Sequence, residues 1–162
     1  MIGNDQPVRY IARTREYYRA IGYSKDYVWA SFEDVPFASL ALPLNEAHIA
    51  LVATARPLDL SNIDERGIKH VWSAKVDPLP AGLNTDNLAW DRVSTHTEDR
   101  ESYLPLEATL AAAREGIIAG LTARFYGVPT EYSQRKTIEE DAPKLLALLR
   151  EDGADAALIS AL

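Results

Sequence analysis

The run His48-Ile-Ala-Leu-Val-Ala-Thr-Ala55 constrains this chain more than any other stretch. It sits at the end of a longer segment, Trp29 to Arg56, that opens with aromatic and acidic residues and crosses a loop held by Pro36 and Pro43. Arg56-Pro57 closes the run, because proline cannot donate to a ladder. An apolar run of this length between turn signals predicts a strand buried on both faces. Such strands belong to parallel sheets with helices on each side. Thr54 and Arg56, at the far end, fall where open α/β sheets bind their ligands. Two residues apart on an extended chain, they face the same way.

The remaining patterns agree with that class. Residues 1 to 6 read as a loose start, with Asp5 or Gln6 capping a helix over residues 7–22 that has Pro7 in its first turn and Gly22 as its stop. Its four arginines, Arg9, Arg13, Arg15 and Arg19, read either as a solvated face paired with Glu16 or as an anion or subunit contact. Residues 56–69 are a polar loop. His70 to Val76 alternates, with Trp72, Ala74 and Val76 on one face, and predicts a short strand. Residues 77–86 carry two prolines and a glycine and form a loop. Leu88 to Ser94 predicts another strand. Pro105 opens a helix that Gly116 ends. Residues 117–125 are apolar with a break at Gly120, and Gly127 and Pro129 mark a turn. Thr137-Ile-Glu-Glu140 matches a capping box, yet Pro143 lies too deep for a helix capped there. Either the helix kinks or Asp141 is the cap. Gly153 closes that helix, and residues 154–162 repeat the buried-strand pattern. The order predicts an α/β fold: a single open, mainly parallel sheet flanked by helices, a half-domain of the flavodoxin or Rossmann type, within one domain over residues 1–162.

Composition narrows the partners. A chain of 162 residues buries roughly 70% of its unfolded surface, enough for a real core. The net charge of -7 argues against nucleic acid and anionic membranes as partners, and it also keeps a chain soluble. Without cysteine there is no disulfide, thiolate metal site or cysteine nucleophile within these residues. The start lacks the apolar core of a signal peptide, and no run reaches the length of a membrane span. A cytoplasmic protein is expected.

No phosphate-loop, dinucleotide or nucleophile-elbow motif is present, so no cofactor is expected. His48, His70 and His96 lack the spacing that puts two ligands on one helix face, and no metal is expected. His96 stands after a predicted strand with Glu98 and Asp99 close by; it reads as a general base oriented by Asp99, or as a solvated loop histidine. Glu33 and Asp34 point to opposite sides of an extended backbone. Glu33 is therefore a single pocket-facing carboxylate or part of the turn before Pro36. Arg56 is a carboxylate or phosphate clamp, or a surface ion pair. Arg124-Phe-Tyr-Gly127 presents the Tyr126 hydroxyl at a loop, or covers a core.

Several stretches share a resemblance. They are Tyr10-Ile-Ala-Arg-Thr-Arg-Glu-Tyr-Tyr-Arg19, Gly22-Tyr23, the segment from Tyr27 to Phe37, Leu42-Pro43-Leu44 and Ile49 to Ala55. Ser94 to Asp99, Glu115 to Leu121, Ala142-Pro143 and Gly153 to Ala157 follow more loosely. Together they resemble the substrate-binding B component of the glycine, sarcosine and betaine reductases and the related D-proline reductase proteins. The resemblance implies an α/β fold, a small amino-acid-like or amine substrate, partner subunits, and cleavage of a carbon–nitrogen bond with electrons passed through selenocysteine or cysteine. In that family the redox residue follows the strand equivalent to Asp155–Leu162. The family's loop commonly reads Ser-His-x-His-aromatic-Asp; here it reads Ser94-Thr95-His96-Thr97-Glu98-Asp99, and only Ser94 and Asp99 carry over directly.

Three functions follow as expectations. The first is a subunit of a reductase-B-like complex whose redox residue comes from another chain, a second protein or a second copy. The second is a non-redox lyase, isomerase or hydrolase using His96 and Asp99, with Glu33, Thr54, Arg56, Ser94 and Tyr126 as substrate contacts. The third is a non-catalytic assembly or binding subunit that docks through its first helix.

Overall fold

A computed structural model describes residues 9–36, 38–86, 88, 93–131 and 133–162. Contacts divide the chain into two units, Met1–Phe37 and Ala38–Leu162.

In the first unit, α1 spans Tyr10–Ala20 and no residue of it is buried. It starts after an extended Arg9 that makes no side-chain cap. The expected cap and first turn, at residues 5–7, lie outside the described residues. Gly22, at φ 98°, takes the left-handed conformation that stops the helix. Two of the arginines reach forward: Arg19 holds Asp26 through Nε at 2.8 Å, with Glu16 adding a smaller attraction, and Arg15 lies over the Trp29 ring at 5.4 Å. Tyr18 meets Tyr17 and Tyr23 edge to face.

The second unit is built on a five-stranded, mostly parallel open sheet. Its central strand is β1, His48–Ala53. Along one edge of β1 run β3, Gly120–Leu121, and β4, Arg124–Gly127, both parallel to it. Strand β2, Trp72–Lys75, lies outside β4 and antiparallel to it. Strand β5, Ala156–Ser160, pairs with the other edge of β1 in register from Ile49↔Ala156 to Ala53↔Ser160. The apolar stretch after Ile117 is thus a strand interrupted at Thr122, whose Oγ1 donates to Arg124 O across the break at 2.7 Å.

Alternation along β1 supplies two cores. Leu51, Ala53 and Ala55 face helix α2, Leu106–Arg114, and pack with Phe125, Tyr103, Leu104 and Leu106. Ala50 and Val52 face helix α4, Ala142–Glu151, and pack with Tyr126, Val71 and Leu145. The predicted face of Trp72, Ala74 and Val76 is the α2 side.

The last helical segment resolves the difficulty at Pro143. A three-residue turn, α3, Gln134–Lys136, runs through a π turn at Thr137–Asp141 into α4. The cap is Ser133, whose Oγ accepts from Lys136 N at 3.3 Å; neither Thr137 nor Asp141 caps. The wider π turn changes the hydrogen-bond register just before the proline, so a residue without an N–H fits there. Two further expectations differ. Among the described residues of 88–94 no strand forms, and residues 89–92 lie outside them. And β5, apolar by sequence, is largely exposed.

Candidate functional site

The parallel strands end at one rim, where Thr54 joins three segments. Thr54 Oγ1 accepts from Leu162 N at 3.0 Å, just past β5, and Thr54 O accepts from Thr130 Oγ1 at 3.5 Å, just past β4. Arg56 follows, half-buried. Its backbone exchanges two hydrogen bonds with Asn84, at 2.9 and 2.8 Å, and its Nη2 donates to Asn84 Oδ1 at 3.2 Å. Its Nε is buried without an acceptor among the described residues. The next residue, Thr85, is buried and shares a 2.7 Å hydrogen bond with Thr97. Through Asn84 and Thr85 the fold thus ties the segment carrying Ser94, His96 and Asp99 to the Arg56 end of β1.

Within that segment the proposed acid–base pair is not joined. His96 is exposed. Asp99 Oδ1 accepts from Glu101 N at 3.0 Å and caps a 3-10 turn at Arg100–Ser102. Ser94 is exposed. Glu33 is an exposed residue of the first unit. Tyr126 is in a strand rather than a loop, fully buried, with its hydroxyl donating to Asp152 at the end of α4. Burial first, and then Asp152, push that hydroxyl up to about 12.

A second polar group at the same rim was not singled out from the sequence. His70 Nε2 lies 3.2 Å from Asp64 Oδ2. The Ile68 and Arg66 N–H groups hold the other Asp64 oxygen at 2.9 and 3.0 Å. The Ile68 N–H, and after it His70 and Arg66, keep the Asp64 carboxyl down at about 2 against the opposing pull of desolvation. Asn62, itself buried, brackets His70 by accepting from its N–H at 2.8 Å and donating to its carbonyl at 3.3 Å. Lys136 Nζ reaches Lys69 O and Glu131 Oε1, both at 2.9 Å, and ties this loop to the start of the last helical segment. A histidine six residues after an aspartate carries no motif. The hairpin-like bridge Ile63↔Lys69 and the hydrogen bonds around it bring the pair together.

The opposite rim holds a cavity of about 660 Å³ lined by Lys75, Asp77, Leu110, Thr122, Arg124 and Asp152, among others. Three of its charged groups answer one another: Arg124 donates to Asp152 through Nε at 2.7 Å and Nη2 at 2.8 Å, and to Glu151 at 3.1 Å. Arg124 accordingly lowers the Asp152 pKa. Among the described residues no group of three or more histidines and carboxylates is placed to hold a metal, and no helix is long and apolar enough to cross a membrane. The chain matches no family model, no curated protein and no solved structure.

Proposed function

We propose that this chain is a subunit of an enzyme resembling the B component of glycine, sarcosine and betaine reductases. It acts on a small amino-acid-like or amine substrate, with the thiol or selenol supplied from outside these 162 residues. One observation carries the reading: the chain leaves β5 on Thr54, with Leu162 N on its Oγ1 at 3.0 Å. In the family it resembles, the redox residue follows this strand. A residue in that position emerges at the rim where Arg56 and the segment 94–99 converge, the ligand end of an α/β sheet.

The chemistry fits the groups at hand. Reductive cleavage breaks the carbon–nitrogen bond, takes two electrons and two protons, and leaves a C–H bond and a free amine. The electrons come from a dithiol or selenol–thiol pair. The work left to these residues is binding and orientation, and Arg56, already steered by Asn84, is the carboxylate clamp. The test is the complex isolated from its native source, incubated with glycine, sarcosine, betaine or D-proline and a dithiol reductant, with amine release measured for the first three and ring opening to the linear amino acid for D-proline. Arg56→Ala is expected to raise KM at least tenfold. A complex that cleaves the carbon–nitrogen bond of none of the four substrates refutes the reading.

The His70–Asp64 pair favours a second reading, a non-redox enzyme whose general base is His70 rather than His96. An anchored carboxylate on one ring nitrogen orients the imidazole and fixes which nitrogen is left to accept a proton. If dithiol-independent turnover is found, His70→Gln abolishes it and His96→Ala leaves it intact; the reverse pattern restores the His96 assignment.

A further inference from the structure

We infer that the cavity at the start of β4 binds a small zwitterion with an apolar side chain, of which an aliphatic α-amino acid is the simplest. The site lies at the rim opposite Thr54 and does not rest on the reading above. Register and charge meet there. From Ile49 to Val52, β1 advances three residues, while the chain facing it advances five, from Leu121 to Tyr126. Two extra residues are therefore looped out between β3 and β4, a bulge of the kind that re-aims side chains beside sites. The looped-out Thr122 and Ala123 line the cavity, and its volume of about 660 Å³ is that of a small-molecule site.

The walls of the cavity differ. Leu110 of α2 and Leu121 of β3, both packed on the α2-side core, form an apolar wall. Charges gather opposite. Lys75 pairs with Arg124 across the β2–β4 ladder, so the two side chains share a face. Val76 continues the ladder, with its N–H on Ala123 O at 3.0 Å, and turns into the α2-side core. Asp77, the next residue, alternates back to the side of Lys75.

These charges are answered unequally. Arg124 gives its donors to Asp152 and Glu151. Among the described residues the side chains of Lys75 and Asp77, both exposed, hold no hydrogen bond or ion pair. Like charges facing across a ladder repel, and a carboxylate on Lys75 offsets that repulsion. Asp152 and Glu151 bring two negative charges to one guanidinium, and Asp77 adds a third, so the same wall favours an ammonium group. That acidic excess turns away phosphate and other polyanions. An amine alone leaves Lys75 unanswered, and an acid alone leaves Asp77 so. A zwitterion answers both, lays its side chain on Leu110 and Leu121, and leaves the bonds of Arg124 in place.

The experiment is a titration of the isotope-labelled chain followed by its amide NMR signals. The probes are L-leucine, 3-methylbutylamine, which is leucine without its carboxylate, and 4-methylpentanoate, which is leucine without its amine. L-Leucine is expected to bind at millimolar concentration or below and to move the signals of residues 121–124 while those of residues 54–56 stay. Each analogue is expected to bind about tenfold more weakly. Lys75→Met is expected to remove the preference for leucine over the amine, and Asp77→Asn the preference over the acid. Neither change is expected to lower the melting temperature, because neither side chain holds a bond in the fold. Signals of residues 121–124 that do not move with L-leucine, equal affinity for the three probes, or unchanged preferences in both variants overturns the inference. Shifts confined to residues 54–56 also overturn it, because they place the amino acid at the other rim.

Discussion

Replacing Gly127 by alanine tests how the rim of the sheet is built. Gly127 ends β4, in register with Ala53 of β1 and opposite Trp72 of β2. The Trp72 indole lies directly over its Cα. A Cβ there would fall 2.0 Å from Nε1, 2.2 Å from Cε2 and 2.6 Å from Cζ2 of the ring. Carbon atoms pack at roughly 3.5–4.0 Å, so the ring or the strand must move by more than an ångström. The strand is held from both sides, by β1 and by β2, and Val128 N donates to Ala53 O at 3.0 Å just beyond it. The ring must therefore give way. It meets Phe125 edge to face at 5.6 Å, and leaving that position forfeits about 0.5–1.5 kcal/mol of the aromatic pair. With the strain of overpacking the expected cost is about 1–3 kcal/mol. For a chain of this size that lowers the melting temperature by about 2–12 °C. The assay is thermal unfolding followed by far-ultraviolet circular dichroism, which does not depend on which tryptophan reports. Trp72→Val removes the clash, so in the double variant the two losses fall short of their sum by at least about 1 kcal/mol. A Gly127→Ala protein within about 0.5 kcal/mol of wild type, or strictly additive losses, refutes the packing argument.

The remaining predictions probe the last helical segment and the titrating groups. Ser133→Ala is expected to cost about 1 kcal/mol through the lost cap, whereas Thr137→Ala spares the cap; equal losses in urea titration count against the assignment. Asp141 is buried, and its desolvation raises its pKa against the pull of Lys136, so its charged form weakens the fold. Stability from this group therefore grows as pH falls through its folded value. Asp141→Asn is expected to raise the melting temperature at pH 7, with the gain shrinking as the medium turns acid; a lower melting temperature at pH 7 contradicts this. Tyr126 is raised from 10.0 to about 12, so its neutral hydroxyl contributes stability that is whole below pH 10 and lost as pH rises through about 12. Tyr126→Phe is expected to remove that part of the alkaline transition and to cost about 1.5–3 kcal/mol at neutral pH, as for a hydrogen bond to a charged group; an unchanged alkaline limb is the contrary result.

What the sequence displayed was the part of the fold that repeats locally. The run at 48–53 is apolar and bounded, and the alternation of Trp72, Ala74 and Val76 needs no partner to be seen. The strand at 120–127 was hidden because Gly120 and the break at Thr122 leave two pieces too short for any period to register. The cap at Ser133 was hidden because a π turn shifts the register by one residue, and periodicity assumes that the register is kept. At the rim, the position of Thr54 and Arg56 followed from strand direction alone. Their partners did not: Asn84 lies 28 residues from Arg56 and Leu162 lies 108 from Thr54. Asp64 and His70 are near in sequence, but polar loops carry no signal of which side chains will meet.

The two rims of the sheet differ in kind, and the proposed function uses the rim of Thr54. At the start of β4 lies a cavity of about 660 Å³, and three of the charged groups lining it are spent on one another. Arg124 answers Asp152 and Glu151, and the Tyr126 hydroxyl adds a third hydrogen bond to Asp152. A carboxylate at a helix C-terminus opposes the helix dipole, and the pairing with Arg124 offsets that at the end of α4, which packs on the sheet through Leu145, Leu148 and Leu149. A ligand that draws on those groups must compete with bonds that hold the fold. At the other rim the hydroxyls of Thr54, Thr85 and Thr97 link loops to strand ends, His70 is half-exposed beside an anchored carboxylate, and β5 delivers the chain to the same place. Residues there can change partners without unfolding a helix. The proposed function places the substrate at the rim of Thr54, where the Arg56 Nε is buried without an acceptor among the described residues and His70 is half-exposed.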